Sequence, residues 1–230
     1  MRAEMKRLVL FDIDGTLVHC GPTPRRVFKQ ALNQVFGTAG PIDGWIFDGK
    51  TDPLIVRELM EAAGVAWSQE QVDEALRRYI RYLESELRSE PSKKVFPGVR
   101  ELLPALRDGG AMLGLLTGNM RAGARAKLES LNLWHYFACG GFADDSYLRS
   151  EIASAAVRRA AELAGRQFSG SEIVIIGDTP HDMQCGRHLG ARAVGVATGR
   201  SSPEQLMAAG AEAALEDFSD TARAVELILR

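Results

Sequence analysis

The sequence predicts an α/β protein, a mostly parallel sheet interrupted by an inserted all-helical domain. Three observations lead there. From residue 95 onward, apolar runs alternate with helical patterns, the arrangement of chains that build parallel sheets. Three apolar runs end in small polar residues: Asp12 and Asp14; Thr117, Gly118 and Asn119; and Gly177, Asp178 and Asp182. Residues from about 18 to 90 show helical periodicity with no convincing strand.

Taken in order, residues 8–16, LVLFDIDGT, read as a buried strand that delivers two aspartates to its C-terminal tip. Pro24 then opens an amphipathic helix with Val27, Phe28, Ala31, Leu32, Val35 and Phe36 on one face, ended by Gly37. The Gly- and Asp-rich stretch 38–52 reads as a loop. Asp52 and Pro53 start a second helix that stops at Gly64. Ser68, with Gln71 three residues on, forms a capping box for a third helix carrying Val72, Leu76, Tyr79, Leu83 and Leu87.

Beyond residue 95, helices are expected at 99–107, 120–131, 151–163, up to Leu189, near 203–209 and at 220–229. Strands are expected at 111–116, 173–176 and 193–197, and a short strand or loop at 137–142. The expected division is 1–17 with 91–230 as one unit and 18–90 as the helical insert.

The chain has 230 residues, 46% hydrophobic and 25% charged, and a formal net charge of −2, so no strong field of one sign favours nucleic acid or an acidic membrane. No apolar run approaches membrane-spanning length. The start, MRAEMKRLVLF, carries no apolar signal segment, and three widely spaced cysteines suggest reduced thiols; both lead to the expectation of a cytoplasmic protein. Monomer and dimer are both open.

Strand alternation sends Asp12 and Asp14 to the same side, a juxtaposition of like charges that needs a cation or a shared proton. In a parallel sheet the three polar tips share one edge, where α/β sheets place their ligands. Converging carboxylates call for a hard divalent cation, magnesium where phosphate is handled. Each tip alone has an ordinary explanation: an Asp-Gly turn, a turn or cap threonine, helix-capping aspartates.

DIDGT at 12–16, LLTGN at 115–119 and IIGDTPHD at 175–182 resemble motifs one, two and four of the haloacid dehalogenase superfamily. The helical insert after the first motif is similar to that family's type 1 cap, and 177–199 looks like the phosphoglycolate-phosphatase branch. The resemblance implies a Rossmann-like core and a Mg2+-dependent phosphohydrolase acting on a small phosphorylated metabolite. It implies Asp12 as nucleophile forming an aspartyl phosphate and Asp14 as general acid and base, with a raised pKa. Thr117, Gly118 and Asn119 would bind the phosphoryl oxygens. Magnesium would be held by Asp12, the Asp14 carbonyl and Asp178, with Asp182 orienting that shell.

The family's third motif is usually a lysine between motifs two and four, but no lysine lies between Lys127 and Asp178. Arg149 stands where that cation is expected, and Arg158 is the next candidate. Lys50, in a loop similar to the family's cap loop, could contact a leaving group, and Trp45 is expected to pack within the cap. Arg121, Arg125, Arg158 and Arg159 read as solvated helix faces, and His181, Cys185 and His188 as an unpersuasive zinc pattern. Alternatives are a β-phosphoglucomutase-like phosphomutase, a phosphonate hydrolase using Lys50, and a catalytically silent binding protein.

Overall fold

The computed structural model describes residues 6–230, so the first residues of the basic N-terminus lie outside the described residues. Eight strands are described: β1 (Arg7–Phe11), β2 (Val18–His19), β3 (Lys94–Val95), β4 (Ala111–Leu116), β5 (Cys139–Gly141), β6 (Ile173–Gly177), β7 (Arg192–Val196) and β8 (Ala213–Leu215). The helices are α1 (Thr23–Phe36), α2 (Asp52–Ala62), α3 (Gln69–Glu86), α4 (Val99–Asp108), α5 (Arg121–Glu129), α6 (Arg149–Ala164), α7 (Pro180–Leu189), α8 (Pro203–Ala208) and α9 (Thr221–Leu229).

Six strands form one parallel sheet in the order β5-β4-β1-β6-β7-β8. Alternation along β1 divides the interior. Val9 and Phe11 join one buried apolar cluster, and Leu8 and Leu10 join another on the opposite face. A sheet covered on both faces explains why its central strands read as continuous apolar runs rather than alternating ones.

All three insert helices lie between β2 and β3, which pair antiparallel through Val18 with Val95 and His19 with Lys94. The ribbon sets the entry and exit of the insert side by side. It was not expected as strand, because two-residue strands carry no periodicity to read. Strand β8 was also unexpected: Ala213–Leu215 lacks the β-branched and aromatic residues that mark strands. Helix α6 starts at Arg149, two residues earlier than expected.

Two insert helices follow their local signals, whereas in α2 Thr51 takes the cap position and Asp52, expected as the cap, is the first helical residue. Gly37 closes α1 in the left-handed conformation, and the Ser68–Gln71 capping box starts α3. Their apolar faces are continuous with the sheet's interior, since Leu32, Leu59 and Leu83 belong to the same buried cluster as Phe11. Because Leu32 is fully buried and Leu163 is 53% exposed, Leu32→Ala should cost about 2–5 kcal/mol in urea unfolding and Leu163→Ala no more than about 0.5 kcal/mol.

Candidate active site

Register brings the three polar tips together. Phe11 is level with Leu115 of β4 and with Ile176 of β6, so Asp12, Thr117 and Asp178 emerge within a residue of one another on adjacent strands. The Asp12 amide extends the ladder by donating to the Ile176 carbonyl (2.9 Å). These residues line a cavity of about 420 Å3 that also reaches Phe28, Phe47 and Lys50 of the insert.

Among the described residues, Asp12, Asp178 and Asp182 form the one group whose possible metal-ligating atoms all lie within 4.8 Å of one another, and all three are buried. Burial, then the charges of Asp182 and Asp14, push Asp12 up to about 7 against the pull of Arg149. Burial and the charges of Asp12 and Asp182 push Asp178 up to about 8. Carboxylates that hold protons so far above their usual range are short of positive charge. All-oxygen donors of this kind fit a hard divalent cation.

The three acids are not equivalent. Asp178 Oδ1 accepts from the Thr16 hydroxyl (2.9 Å). Asp182 is fully buried; its Oδ2 accepts from the Thr179 amide (3.1 Å) and hydroxyl (2.6 Å), and its Oδ1 from Arg149. Asp182 is thus both a helix cap and an anchor for the arginine. Arg149 Nη2 lies 3.9 Å from Asp12 Oδ1, and Arg149 Nε is buried with no hydrogen-bond partner. Arg158 is not among the residues lining this cavity. Arg159, expected on a solvated face, instead holds both oxygens of Asp145 (2.7 and 2.5 Å), fixing the loop that leads to Arg149.

Asp14 lines the same cavity as Asp12 and repels it, but it takes other partners. Strand β1 ends at Phe11, so alternation no longer governs residues 12–14, and the two aspartates take different partners. Asp14 Oδ2 accepts from Asn119 Nδ2 (2.8 Å) and pairs with Lys127 Nζ (2.6 Å). Its hydrogen-bond and ion-pair partners are an amide and an ammonium, while its charge still reaches Asp12. Asn119 is committed as well: Nδ2 also donates to the Thr117 hydroxyl oxygen (2.8 Å), and Oδ1 accepts from Lys127 (2.6 Å). The side chain expected to bind phosphoryl oxygens therefore supports Asp14. Burial works against the Lys127 charge, but Asp14, Tyr79, Cys20 and Asp52 together outweigh it and hold the ammonium above its usual range.

The loop before α2 lies directly on the sheet edge. The Asp52 amide donates to the Gly118 carbonyl (2.8 Å), and Asp52 Oδ2 accepts from the Met120 amide (2.8 Å). Burial raises Asp52 to about 6, against Lys127 and that amide. A Cβ on Gly118 would stand 2.1 Å from the Lys50 carbonyl, so this position requires glycine. Arg200, after β7, pairs with Asp48 (3.2 Å) across the same junction. Lys50 lines the cavity, but its ammonium pairs with Glu58 and lies 5.1 Å from the Trp45 ring centroid. Trp45 donates to Glu58 (3.2 Å) and packs among the insert helices, as expected.

Lys127, Asp52 and Thr16 were not assigned site roles from the sequence. Lys127 carried a legible signal: it sits with Gly123, Ala124 and Leu128 on the buried face of α5, where a lysine is out of place without a partner. For Asp52 the capping reading concealed a contact across the chain.

The family model described as "Haloacid dehalogenase-like hydrolase" matches residues 9–196. A phosphoglycolate phosphatase from Synechococcus elongatus is 30% identical, over 96% of this chain and 98% of its own. A probable phosphatase, IndB, from Dickeya dadantii is 28% identical over 98% and 96%. Among solved structures, a predicted phosphatase from Clostridium acetobutylicum superposes with a TM-score of 0.72 at 24% identity, covering 96% of this chain and 99% of its own. CbbY from Rhodobacter sphaeroides, in complex with phosphate, gives 0.73 at 17% identity, covering 94% and 96%. With a match over most of its length and the three motif tips joined at one sheet edge, the chain belongs to the haloacid dehalogenase-like hydrolase family.

Proposed function

We propose that this chain is a magnesium-dependent phosphatase that cleaves a small phosphomonoester through an aspartyl phosphate on Asp12. The observation that carries this reading is the placement of Asp12 at the cavity floor, beside the acidic pair Asp178 and Asp182 and 3.9 Å from the Arg149 guanidinium. Asp12 attacks phosphorus as the bond to the leaving oxygen breaks, and Asp14 delivers its proton to that oxygen. Asp14 then takes a proton from the water that hydrolyses the acyl phosphate, releasing inorganic phosphate and restoring Asp12.

Asp12, Asp178 and the Asp14 carbonyl would hold magnesium, which would supply Lewis-acid polarisation of the phosphoryl oxygens and offset the carboxylate charge. Asp182, with both oxygens already engaged by Thr179 and Arg149, orients its neighbours. The Thr117 hydroxyl and the Gly118 amide face the transferring group, and the unpartnered Arg149 Nε suits an anionic oxygen. Residues 18–90 act as a cap over the core, excluding water when the cavity is closed. Lys50 borders the leaving group. The relatives named phosphoglycolate phosphatase and the cavity of about 420 Å3 favour a compact substrate of that class. Three unbridged cysteines suit a reducing, cytoplasmic setting.

With p-nitrophenyl phosphate and magnesium, the protein should release phosphate without a bisphosphate primer. EDTA should stop the reaction, and Asp12→Asn should lower kcat by at least about a thousandfold. Equal turnover by the Asn variant would remove Asp12 as nucleophile. A panel of phosphorylated metabolites, with phosphoglycolate included, ranks substrates by kcat/KM.

The acidic cluster also sets a pH dependence. Asp12 and Asp178 bind protons more tightly when folded than their ordinary value of 3.8, so from about pH 4 to their raised values near 7 and 8 the metal-free protein loses stability as pH rises. Magnesium should offset that loss, so its gain in Tm should be larger at about pH 8 than at about pH 5 and absent in Asp178→Asn. Gly118→Ala should push the cap loop from its seat and raise KM by about tenfold or more, with a smaller loss of Tm than Leu32→Ala.

A further inference from the structure

Lys127 is a buried lysine that the proposed chemistry does not use. It comes from α5, outside the three polar strand tips, and is 4% exposed. Its ammonium makes two contacts of 2.6 Å, to Asp14 Oδ2 and to Asn119 Oδ1. Asn119 Nδ2 meets the same Asp14 oxygen at 2.8 Å, closing a ring of three side chains around one carboxylate oxygen. Among the described residues, every hydrogen bond and ion pair to the Asp14 carboxylate falls on Oδ2. The Asp14 side chain is 43% exposed and lines the cavity, so Oδ1 is the oxygen left to exchange a proton there.

Burying an ammonium is costly unless its partners are fixed, and a fixed partner loses rotamer freedom in turn. The ring therefore locks the Asp14 side chain through one oxygen. A carboxyl that must meet a leaving oxygen at hydrogen-bond distance gains from such immobilisation, because small displacements of a reacting group are expensive.

We propose that Lys127 is a positioning residue for the acid/base step: with Asn119 it anchors Asp14 Oδ2 so that Oδ1 carries the proton. The inference rests on the reading of Asp14 as general acid. As Asp12 bonds to phosphorus and the ester P–O bond breaks, the proton on Asp14 Oδ1 passes to the departing oxygen, while Lys127 keeps its own protons and touches no substrate atom.

Leaving-group dependence tests this. An alkyl phosphate has a poor leaving oxygen that needs the proton, whereas p-nitrophenolate leaves without much help. With magnesium-loaded full-length protein, Lys127→Met should lower kcat/KM, which reports the steps up to loss of the leaving group and not the shared hydrolysis of the aspartyl phosphate, by about thirtyfold or more on an alkyl phosphate and by no more than about threefold on p-nitrophenyl phosphate. Asp14→Asn should show the same selectivity. The double variant should match Asp14→Asn alone, since Lys127 acts only through that carboxylate. Lys127→Arg should recover most of the alkyl activity, and Lys127→Gln replaces Lys127→Met should thermal unfolding show the latter to be misfolded.

Equal losses on both esters in the Lys127 variants, with a selective loss in Asp14→Asn, would overturn the inference while leaving Asp14 as the acid. A rise in KM by the same factor on both esters at constant kcat would overturn it in favour of direct substrate contact. Equal losses on both esters in Asp14→Asn would overturn the general-acid reading itself, and the inference with it.

Discussion

The structure depends on a concentration of negative charge that the protein alone does not neutralise. Asp12, Asp178 and Asp182 converge in a buried space, and one guanidinium, that of Arg149, stands among them. Burial and mutual repulsion raise Asp12 and Asp178 far above ordinary carboxylates. The surrounding architecture reads as the means of holding this unfavourable set in place: parallel strands in register, a threonine on Asp178, a capping box on Asp182, and an arginine clamped at the start of α6. In the proposed function, a site arranged in advance for a cation and a phosphoryl group would avoid reorganisation on binding them.

The same edge is organised for closure. The segment that leads into α2 touches the sheet through Gly118 and Met120, and Arg200 meets Asp48 from the far side of the cavity. Steric demand at Gly118 and the backbone bond to Asp52 tie the insert to the residues proposed to hold phosphate. In the proposed function, specificity and water exclusion would both depend on this one junction, in keeping with a compact ester.

Asp12 and Asp14 begin as near neighbours in the chain, stay within reach of each other's charge, and end with different direct partners. Asp12 lies among acids with one arginine close by; Asp14 is held by Lys127 and Asn119. The proposed roles of nucleophile and proton carrier call for different partners, which the end of the strand at Phe11 allows. The strand ends at Phe11, and a turn at Gly15, with φ of 86°, follows, so the second carboxylate reaches different partners within the same cavity.

Much of this was legible in the linear sequence. Apolar runs with polar tips marked β1, β4 and β6, periodicity and caps marked the insert helices, and the motif order carried Asp12, Thr117, Arg149 and Asp178 to a common edge. These features are local or repeat with a fixed period, so one dimension suffices to show them. Tertiary structure alone decided the partners: Lys127 on Asp14, Glu58 on Lys50, Asp145 on Arg159, and the committed amide of Asn119. It also decided the β2–β3 ribbon and β8, elements too short to carry a pattern. Pairing of charges across distant segments depends on packing distance and burial, and neither is a function of spacing along the chain.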